Sequence, residues 1–138
     1  MIKDIIENFV AQFPELSSQE KKELTLLLNV KNYNKGQIIQ EEGKTAHNCF
    51  FVLKGLVREY QLIDGIDKTL EFYSESHPAI PSEGYAKVKP SETSLECLEN
   101  SFLIVGDKES ESRAIESIPA LQGILTCLLY TSPSPRDA

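Results

Sequence analysis

The stretch that decides the fold is NKGQIIQEEGKTAHNCFFVLKGLVREY, residues 34–60. Lys-Gly and Glu-Gly pairs punctuate it at Gly36, Gly43 and Gly55, and short apolar runs lie between them. Glycine adopts the positive φ that a tight corner between strands requires. Turn signals recurring about every ten residues are typical of all-β domains. The stretch therefore predicts a barrel or sandwich of short antiparallel strands.

The same pattern continues beyond this stretch, with a further turn signal at Asp64-Gly65. Strands are predicted at residues 37–40, 49–53, 56–62, 68–73, 93–98 and 102–105. Within 56–62 neither alternate set of side chains is purely apolar, so the pattern does not decide which set faces inward. Arg58, beside Glu59, is interpreted as an ordinary exposed charge.

Helices are predicted before the strands. Apolar residues recur at helical spacing from Ile2 to Phe13, and Pro14 ends that element. Ser17 and Glu20 fit a capping box, in which a hydroxyl and a carboxylate satisfy each other's backbone amides at the start of a helix. The expected buried stripe of this second helix is Leu24, Leu27 and Leu28.

A helical pattern returns after the strands. Residues 108–113 are expected to form a polar turn after Asp107, and apolar residues then recur every three or four positions from Ile115 to Leu128. Pro119 is expected to start a new helix, because proline is tolerated in a first turn.

Composition restricts the classes of function. The chain has 138 residues, enough for one packed core, and a formal charge of −7, which opposes DNA or RNA binding by this segment. No apolar run approaches the roughly 20 residues of a membrane span, and the acidic N-terminus is unlike a signal peptide, so a cytoplasmic location is expected. The three cysteines, Cys49, Cys97 and Cys127, are widely separated and are expected to be reduced and buried.

Neither a metal site nor a catalytic site is predicted. The two histidines, His47 and His77, are too few for the metal site of a cupin, the main rival β-roll, and no further ligands stand near them. No Gly-x-Ser-x-Gly elbow and no phosphate-binding glycine loop occurs. We therefore expect a protein that is not an enzyme and has no cofactor, although a small-molecule effector is compatible with the sequence.

Two runs carry a family resemblance. Residues 35–39, Glu42-Gly43 and residues 53–58, followed by SLECLENSFLIVGDKES at 94–110, resemble the effector domain of Crp/Fnr regulators. The resemblance implies a mainly β domain with flanking helices, a double-stranded β-helix (jelly roll) of the cyclic-nucleotide-binding-like type. The corresponding organisation is N-terminal helices at 1–31, the β-roll at 32–107, the start of a dimerisation helix at 108–129, and a non-native or disordered tail at 130–138.

Relatives in that family that bind cyclic nucleotides use a Gly-Glu pair and, about ten residues later, an arginine beside a hydroxyl residue. The corresponding stretch here is HPAIPSEGYAKVKPSETSLE, residues 77–96, in which Ser91 stands at the arginine position and no Gly-Glu pair precedes it. An arginine fork matches a phosphate in charge and geometry, so we expect no cyclic AMP binding by that mechanism. Either a different ligand or a loop without a ligand remains open. The candidate ligand-binding positions are Ser82, Glu83, Gly84, Lys89, Ser91, Glu92 and Thr93.

The resemblance also implies a homodimer in the full-length protein, which contacts DNA only through a C-terminal domain that this chain does not include. The expected dimer-helix residues are Ile118, Leu121, Leu125 and Leu128. The tail YTSPSPRDA cannot continue a helix, because two of its positions are proline. The leading hypothesis is an effector-sensing domain of a transcription regulator. The alternative is a stand-alone regulatory module that acts on a protein partner.

Overall fold

The structure, a computed structural model, describes residues 2–79 and 89–125. Within them the chain order is helices α1 (Ile2–Val10) and α2 (Ser18–Leu27), eight strands, and helices α3 (Lys108–Ser117) and α4 (Leu121–Leu125). The strands are β1 (Val30–Tyr33), β2 (Ile38–Gln40), β3 (Cys49–Lys54), β4 (Val57–Ile63), β5 (Ile66–Tyr73), β6 (Pro78–Ala79), β7 (Ser94–Cys97) and β8 (Ser101–Gly106). None of the described helices is long and apolar enough to span a membrane.

The strands form two antiparallel sheets. One has the order β1-β8-β3-β6 and the other has the order β2-β7-β4-β5, so strands distant in sequence lie side by side in both. This arrangement, flanked by helices, is the jelly roll that the sequence predicts, and the predicted fold class is confirmed.

The roll interior is a core of side chains from both sheets. Val52 of β3 pairs with Leu103 of β8, and Val57 of β4 pairs with Cys97 of β7. All four residues are fully buried. The complete cluster is Phe50, Val52, Val57, Ala79, Leu95, Cys97 and Leu103. Because successive strand residues point to opposite faces, the neighbours of Phe50 and Val52 on β3 are directed out of the roll.

A second core cluster lies between the helices and the outer face of the first sheet. Phe51 of β3 packs against Phe9 of α1 with ring centroids 5.1 Å apart, and Phe9 in turn makes an edge-on contact with Phe13. Burial of an aromatic or leucine side chain contributes about 1.5–3 kcal/mol, so this cluster holds the helices to the roll. Its buried members are Phe9, Val10, Leu16, Leu24, Phe51, Ile118 and Leu121.

This cluster includes two residues of the expected dimer stripe. Ile118 is 0% exposed and Leu121 is 2% exposed, and both pack against the chain's own helices and β3. Their burial within one chain leaves the dimer stripe a prediction. Leu125 lies in α4, but its side chain and all of Leu128 are outside the described residues, as is the tail at 130–138.

The N-terminal helices follow the local sequence signals in part. The Ser17 hydroxyl accepts a hydrogen bond from the Glu20 amide and the Glu20 carboxylate accepts one from the Ser17 amide, which confirms the capping box. The predicted stripe of α2 is confirmed at Leu24, which is buried, and in part at Leu28, which packs against the second core cluster, but it is wrong at Leu27. Leu27 is 45% exposed, because α2 ends there and Leu28 adopts extended backbone as its C-cap.

Three elements differ from the prediction. The expected polar turn at 108–113 is helical, because Asp107 caps α3 and forms a capping box with Ser110. Strand β1 was not predicted, since Lys31 and Asn32 at its centre are exposed and polar. It forms because each of its residues pairs with one of β8. The short strand β6 was likewise missed and pairs with Phe50 and Phe51.

Gly55, between β3 and β4, is the corner with the tightest packing. Its φ is +116, a value that side chains rarely adopt, and a Cβ there would overlap with the side chain of Ser101. Gly65, between β4 and β5, also has a positive φ, +79, but a Cβ there would meet nothing within 4 Å. Substitutions at these two glycines therefore distinguish the effect of backbone conformation on stability from the effect of close packing.

We expect Gly55→Ala to lower the free energy of unfolding by about 3 kcal/mol, because it adds both backbone strain and a clash. Gly65→Ala is the matched control and should cost only about 1 kcal/mol, the strain alone. Urea denaturation of both variants measures the difference. Equal losses at the two positions would show that the Gly55–Ser101 contact does not constrain the corner.

Candidate functional site

A buried carboxylate lies in the interior of the roll. Glu59 of β4 is 0% exposed and shares the inner face with Val57, two residues earlier on the strand. It pairs with Leu95 of β7 on one side and with Glu71 of β5 on the other. A buried carboxylate is costly unless hydrogen-bond donors surround it, so its partners identify the polar part of the interior.

Two hydroxyl groups donate hydrogen bonds to this carboxylate. The Tyr73 hydroxyl donates to Oε1 of Glu59 at 2.8 Å, and the Thr93 hydroxyl donates to Oε2 at 2.7 Å. Tyr73 ends β5 and Thr93 directly precedes β7, so the contacts join three parts of one sheet. Hydrogen bonds to an ionised group contribute about 1.5–3 kcal/mol each. We call these three residues the Glu59 cluster.

Ser91, the residue at the expected arginine position, is also buried but is engaged with backbone. It is 3% exposed, and its hydroxyl donates to the Thr93 carbonyl oxygen at 2.7 Å. The Thr93 amide donates back to the Ser91 hydroxyl at 3.3 Å. This reciprocal pair shapes the turn that aims the Thr93 hydroxyl at Glu59.

Backbone hydrogen bonds hold residues 89–93 against the loop between β2 and β3. The Gly43 amide donates to the Ser91 carbonyl oxygen at 2.8 Å, and the Ser91 amide donates to the Lys44 carbonyl oxygen at 2.9 Å. The Ala46 amide donates to the Lys89 carbonyl oxygen at 3.2 Å. One end of the candidate ligand segment is thus part of the roll wall.

The structure separates the predicted ligand-binding residues. Ser91 and Thr93 are buried, whereas Lys89 and Glu92 are exposed. Ser82, Glu83 and Gly84 lie outside the described residues. The sequence interpretation missed Glu59 and Tyr73, although the alternation of Val57 with Glu59 was a signal that the carboxylate shares the core face.

Arg58 is not the ordinary exposed charge that we expected. Its guanidinium donates to both carboxylate oxygens of Asp67 at 2.8 Å and to Glu96 at 2.7 Å, and its side chain is only 17% exposed. It also donates to the Thr69 hydroxyl and lies 4.1 Å from the centre of the Tyr60 ring. These contacts fix Arg58 on the outer face of the sheet, opposite to Glu59.

The ion pair between Arg58 and Asp67 shifts the pKa values of its two members in opposite directions. The hydrogen bond to Asp67 raises the pKa of Arg58 above its ordinary value, and the contact with Glu96 adds to it. The same bond lowers the pKa of the Asp67 carboxyl. Arg58 therefore stays charged, and its guanidinium is engaged by Asp67 and Glu96 on the outer face of the roll.

The described cysteines are buried thiols. Cys97 lies in the roll core, and burial raises the pKa of its thiol, which disfavours the reactive thiolate. Cys49 is also buried, and neither forms a disulfide. Cys127 is outside the described residues. No group of three or more metal-ligating side chains comes together in the part of the chain that the structure covers.

Comparison with known sequences found neither a matching family model nor a matching curated protein. Comparison with solved structures did find matches. A cyclic nucleotide-binding domain from Methylobacillus flagellatus superposes with a TM-score of 0.74 at 14% identity, covering 93% of this chain and 74% of that one. Catabolite Activator Protein from Thermus thermophilus superposes with a TM-score of 0.68 at 20% identity, covering 85% of this chain and 55% of that one.

A third match is an EAL enzyme, Bd1971, with a TM-score of 0.61 at 20% identity, covering 74% of this chain and 91% of that one. The chain thus has the β-roll fold of these solved structures, among them a cyclic nucleotide-binding domain and a Catabolite Activator Protein. It spans about 55% of the Thermus regulator's length. Because proteins with this fold have different functions, the function of this chain must be inferred from its site residues and not from its fold.

Removal of either hydroxyl from the Glu59 cluster should destabilise the roll. We expect Tyr73→Phe and Thr93→Val each to lower the free energy of unfolding by about 1–3 kcal/mol, because a buried carboxylate oxygen loses its donor. Tyr60→Phe, on the outer face of β4, is the control and should change stability by less than about 0.5 kcal/mol. Chemical denaturation gives all three values. A loss for Tyr73→Phe no larger than for Tyr60→Phe would contradict the assigned role of the cluster.

Proposed function

We propose that this chain is the effector-sensing domain of a Crp/Fnr-type transcription regulator, and that its roll does not bind cyclic AMP through an arginine–phosphate contact. The proposed absence of an arginine–phosphate contact rests on the identity and hydrogen bonds of Ser91. The short Ser91 hydroxyl, which the sequence aligns with the family's arginine, is bonded to the Thr93 backbone.

The charges around the roll support the same conclusion. Arg58 is directed outward and saturated by Asp67 and Glu96, so it does not serve the interior. Inside, Glu59 and Glu71 occupy paired positions on neighbouring strands. A phosphate placed beside them would meet negative charge, and in a partly buried site such repulsion amounts to several kcal/mol. The interior thus favours a neutral or cationic effector that donates hydrogen bonds.

The Glu59 cluster suggests how an effector would be sensed. A ligand that donates to Glu59 competes with the hydroxyls of Tyr73 and Thr93. Release of Thr93 would loosen the turn at residues 91–93, which leads directly into β7. β7 is followed by β8 and then by the Asp107-capped helix α3. Effector binding would in this way shift the equilibrium between two positions of the C-terminal helices.

We propose that the full-length protein is a homodimer and binds DNA through a further C-terminal domain. The formal charge of −7 supports a division of labour in which this domain does not contact nucleic acid itself. Ile118 and Leu121 are buried within one chain, so we propose that the dimer contact uses other residues.

Cyclic AMP and cyclic GMP should leave the melting temperature unchanged at concentrations up to millimolar. A ligand at one hundred times its Kd would stabilise the fold by about 2.7 kcal/mol, which a thermal melt detects. A cyclic-nucleotide-binding domain that has the arginine serves as the positive control. A saturable rise in melting temperature at micromolar nucleotide would overturn the proposal that this roll lacks a phosphate site.

A further inference from the structure

A half-enclosed apolar cavity of about 110 Å³ lies outside the roll, between the helices and the outer face of the β3–β8 sheet. Phe51 and Ile104, a cross-strand pair, form its floor on the sheet. Its walls on the helical side include Phe9, Phe13, Leu28 and Leu121. The cavity is separate from the Glu59 cluster, because none of the cluster's residues lines it.

Small residues leave this space open. Gly106, at the end of β8, has no side chain, and a Cβ there would lie 3.5 Å from the Cys49 sulfur and 3.7 Å from the Ser110 hydroxyl. Ala114 of α3 presents only a methyl group to the same space. Protein interiors are usually packed about as densely as organic crystals, so an open space of this size is a departure from that density. Because Gly106 and Ala114 leave the cavity unfilled, it has room for a few additional carbon atoms.

The polar residues that line the cavity, which include Asn29, Ser110 and Glu111, are engaged within the chain. The Ser110 hydroxyl accepts from the Asp107 amide at 2.9 Å and donates to the Asp107 carbonyl oxygen at 3.1 Å. The Asn29 carbonyl oxygen accepts from the Val105 amide at 2.8 Å. An apolar cavity whose polar neighbours are satisfied holds water poorly and takes up apolar molecules instead.

The edge of the cavity offers an entry path. Leu27, at the end of α2, lines the cavity and is also 45% exposed, so it stands between the interior and solvent. Displacement of this terminal side chain requires no change in the sheets.

We propose that this cavity is a binding site for a small, uncharged apolar molecule or group, such as an aromatic ring or a short aliphatic chain of about six carbon atoms. The site goes beyond the proposed role of the roll interior and does not depend on it. Its walls come from α1, α2, α3, α4 and the sheet, so occupancy favours the arrangement in which the C-terminal helices pack against the roll. A ligand there would stabilise one position of these helices.

Titration of the chain with benzene, followed by amide chemical shifts, tests this site. We expect saturable shifts in β3, β8 and α3, with little change in β4 and β7. Ala114→Leu should weaken benzene binding by about tenfold or more, because the added side chain fills the space. Ser112→Leu, which adds the same side chain to an exposed position of α3, is the matched control and should bind like the unchanged chain.

A second probe keeps the test decisive if Ala114→Leu fails to fold. Benzoate has the same ring with a carboxylate and should not bind to the unchanged chain, because the cavity offers no cationic partner among its lining residues. The absence of saturable shifts with benzene would overturn the proposal. So would equal binding of benzene and benzoate, or shifts confined to the Glu59 cluster. None of these results bears on cyclic nucleotide binding, so the two proposals fail separately.

Discussion

Burial of the Glu59 carboxylate is the constraint on which the polar half of the roll depends. A carboxyl group without exposed surface needs hydrogen-bond partners, and here two of them are the hydroxyls of Tyr73 and Thr93, 14 and 34 residues away in sequence. The end of β5 and the turn before β7 must therefore meet at β4. The buried Ser91 hydroxyl supports that turn by bonding the Thr93 backbone. Ser91, which the sequence aligns with the family's arginine, is thus part of the roll wall.

The adjacent ionisable residues Arg58 and Glu59 lie on opposite faces of β4. Arg58 lies outside, where Asp67, Glu96 and the Tyr60 ring hold it, and Glu59 lies inside among hydroxyls. If the register of β4 shifted by one residue, the guanidinium would enter the core and the carboxylate would leave it. The register of β4 thus determines that a carboxyl and not a guanidinium lies in the interior. The fold matches that of a cyclic nucleotide-binding domain, but a shared fold does not establish a shared function.

Local signals in the sequence predicted the corners and one helix start. Gly36, Gly43 and Gly55 all have positive φ, and the Ser17–Glu20 capping box needs only residues three apart. Contacts over longer distances were missed. Strand β1 exists through its pairing with β8, and Glu59 is buried because distant hydroxyls reach it. The Asp107–Ser110 box escaped prediction because serine stands where glutamate is the usual signal.

The apolar half of the domain depends on the packing of helices on the outer sheet face, which also uses Ile118 and Leu121. A helical stripe in a sequence does not show whether it packs against its own chain or against a partner, so the dimer assignment of these two residues stays a prediction. A crystal structure of the chain grown with millimolar cyclic AMP is the most direct test of whether the roll binds this nucleotide. We expect Glu59 to be buried between Tyr73 and Thr93, with no nucleotide in the roll. A nucleotide phosphate bound beside Ser91 would contradict this expectation.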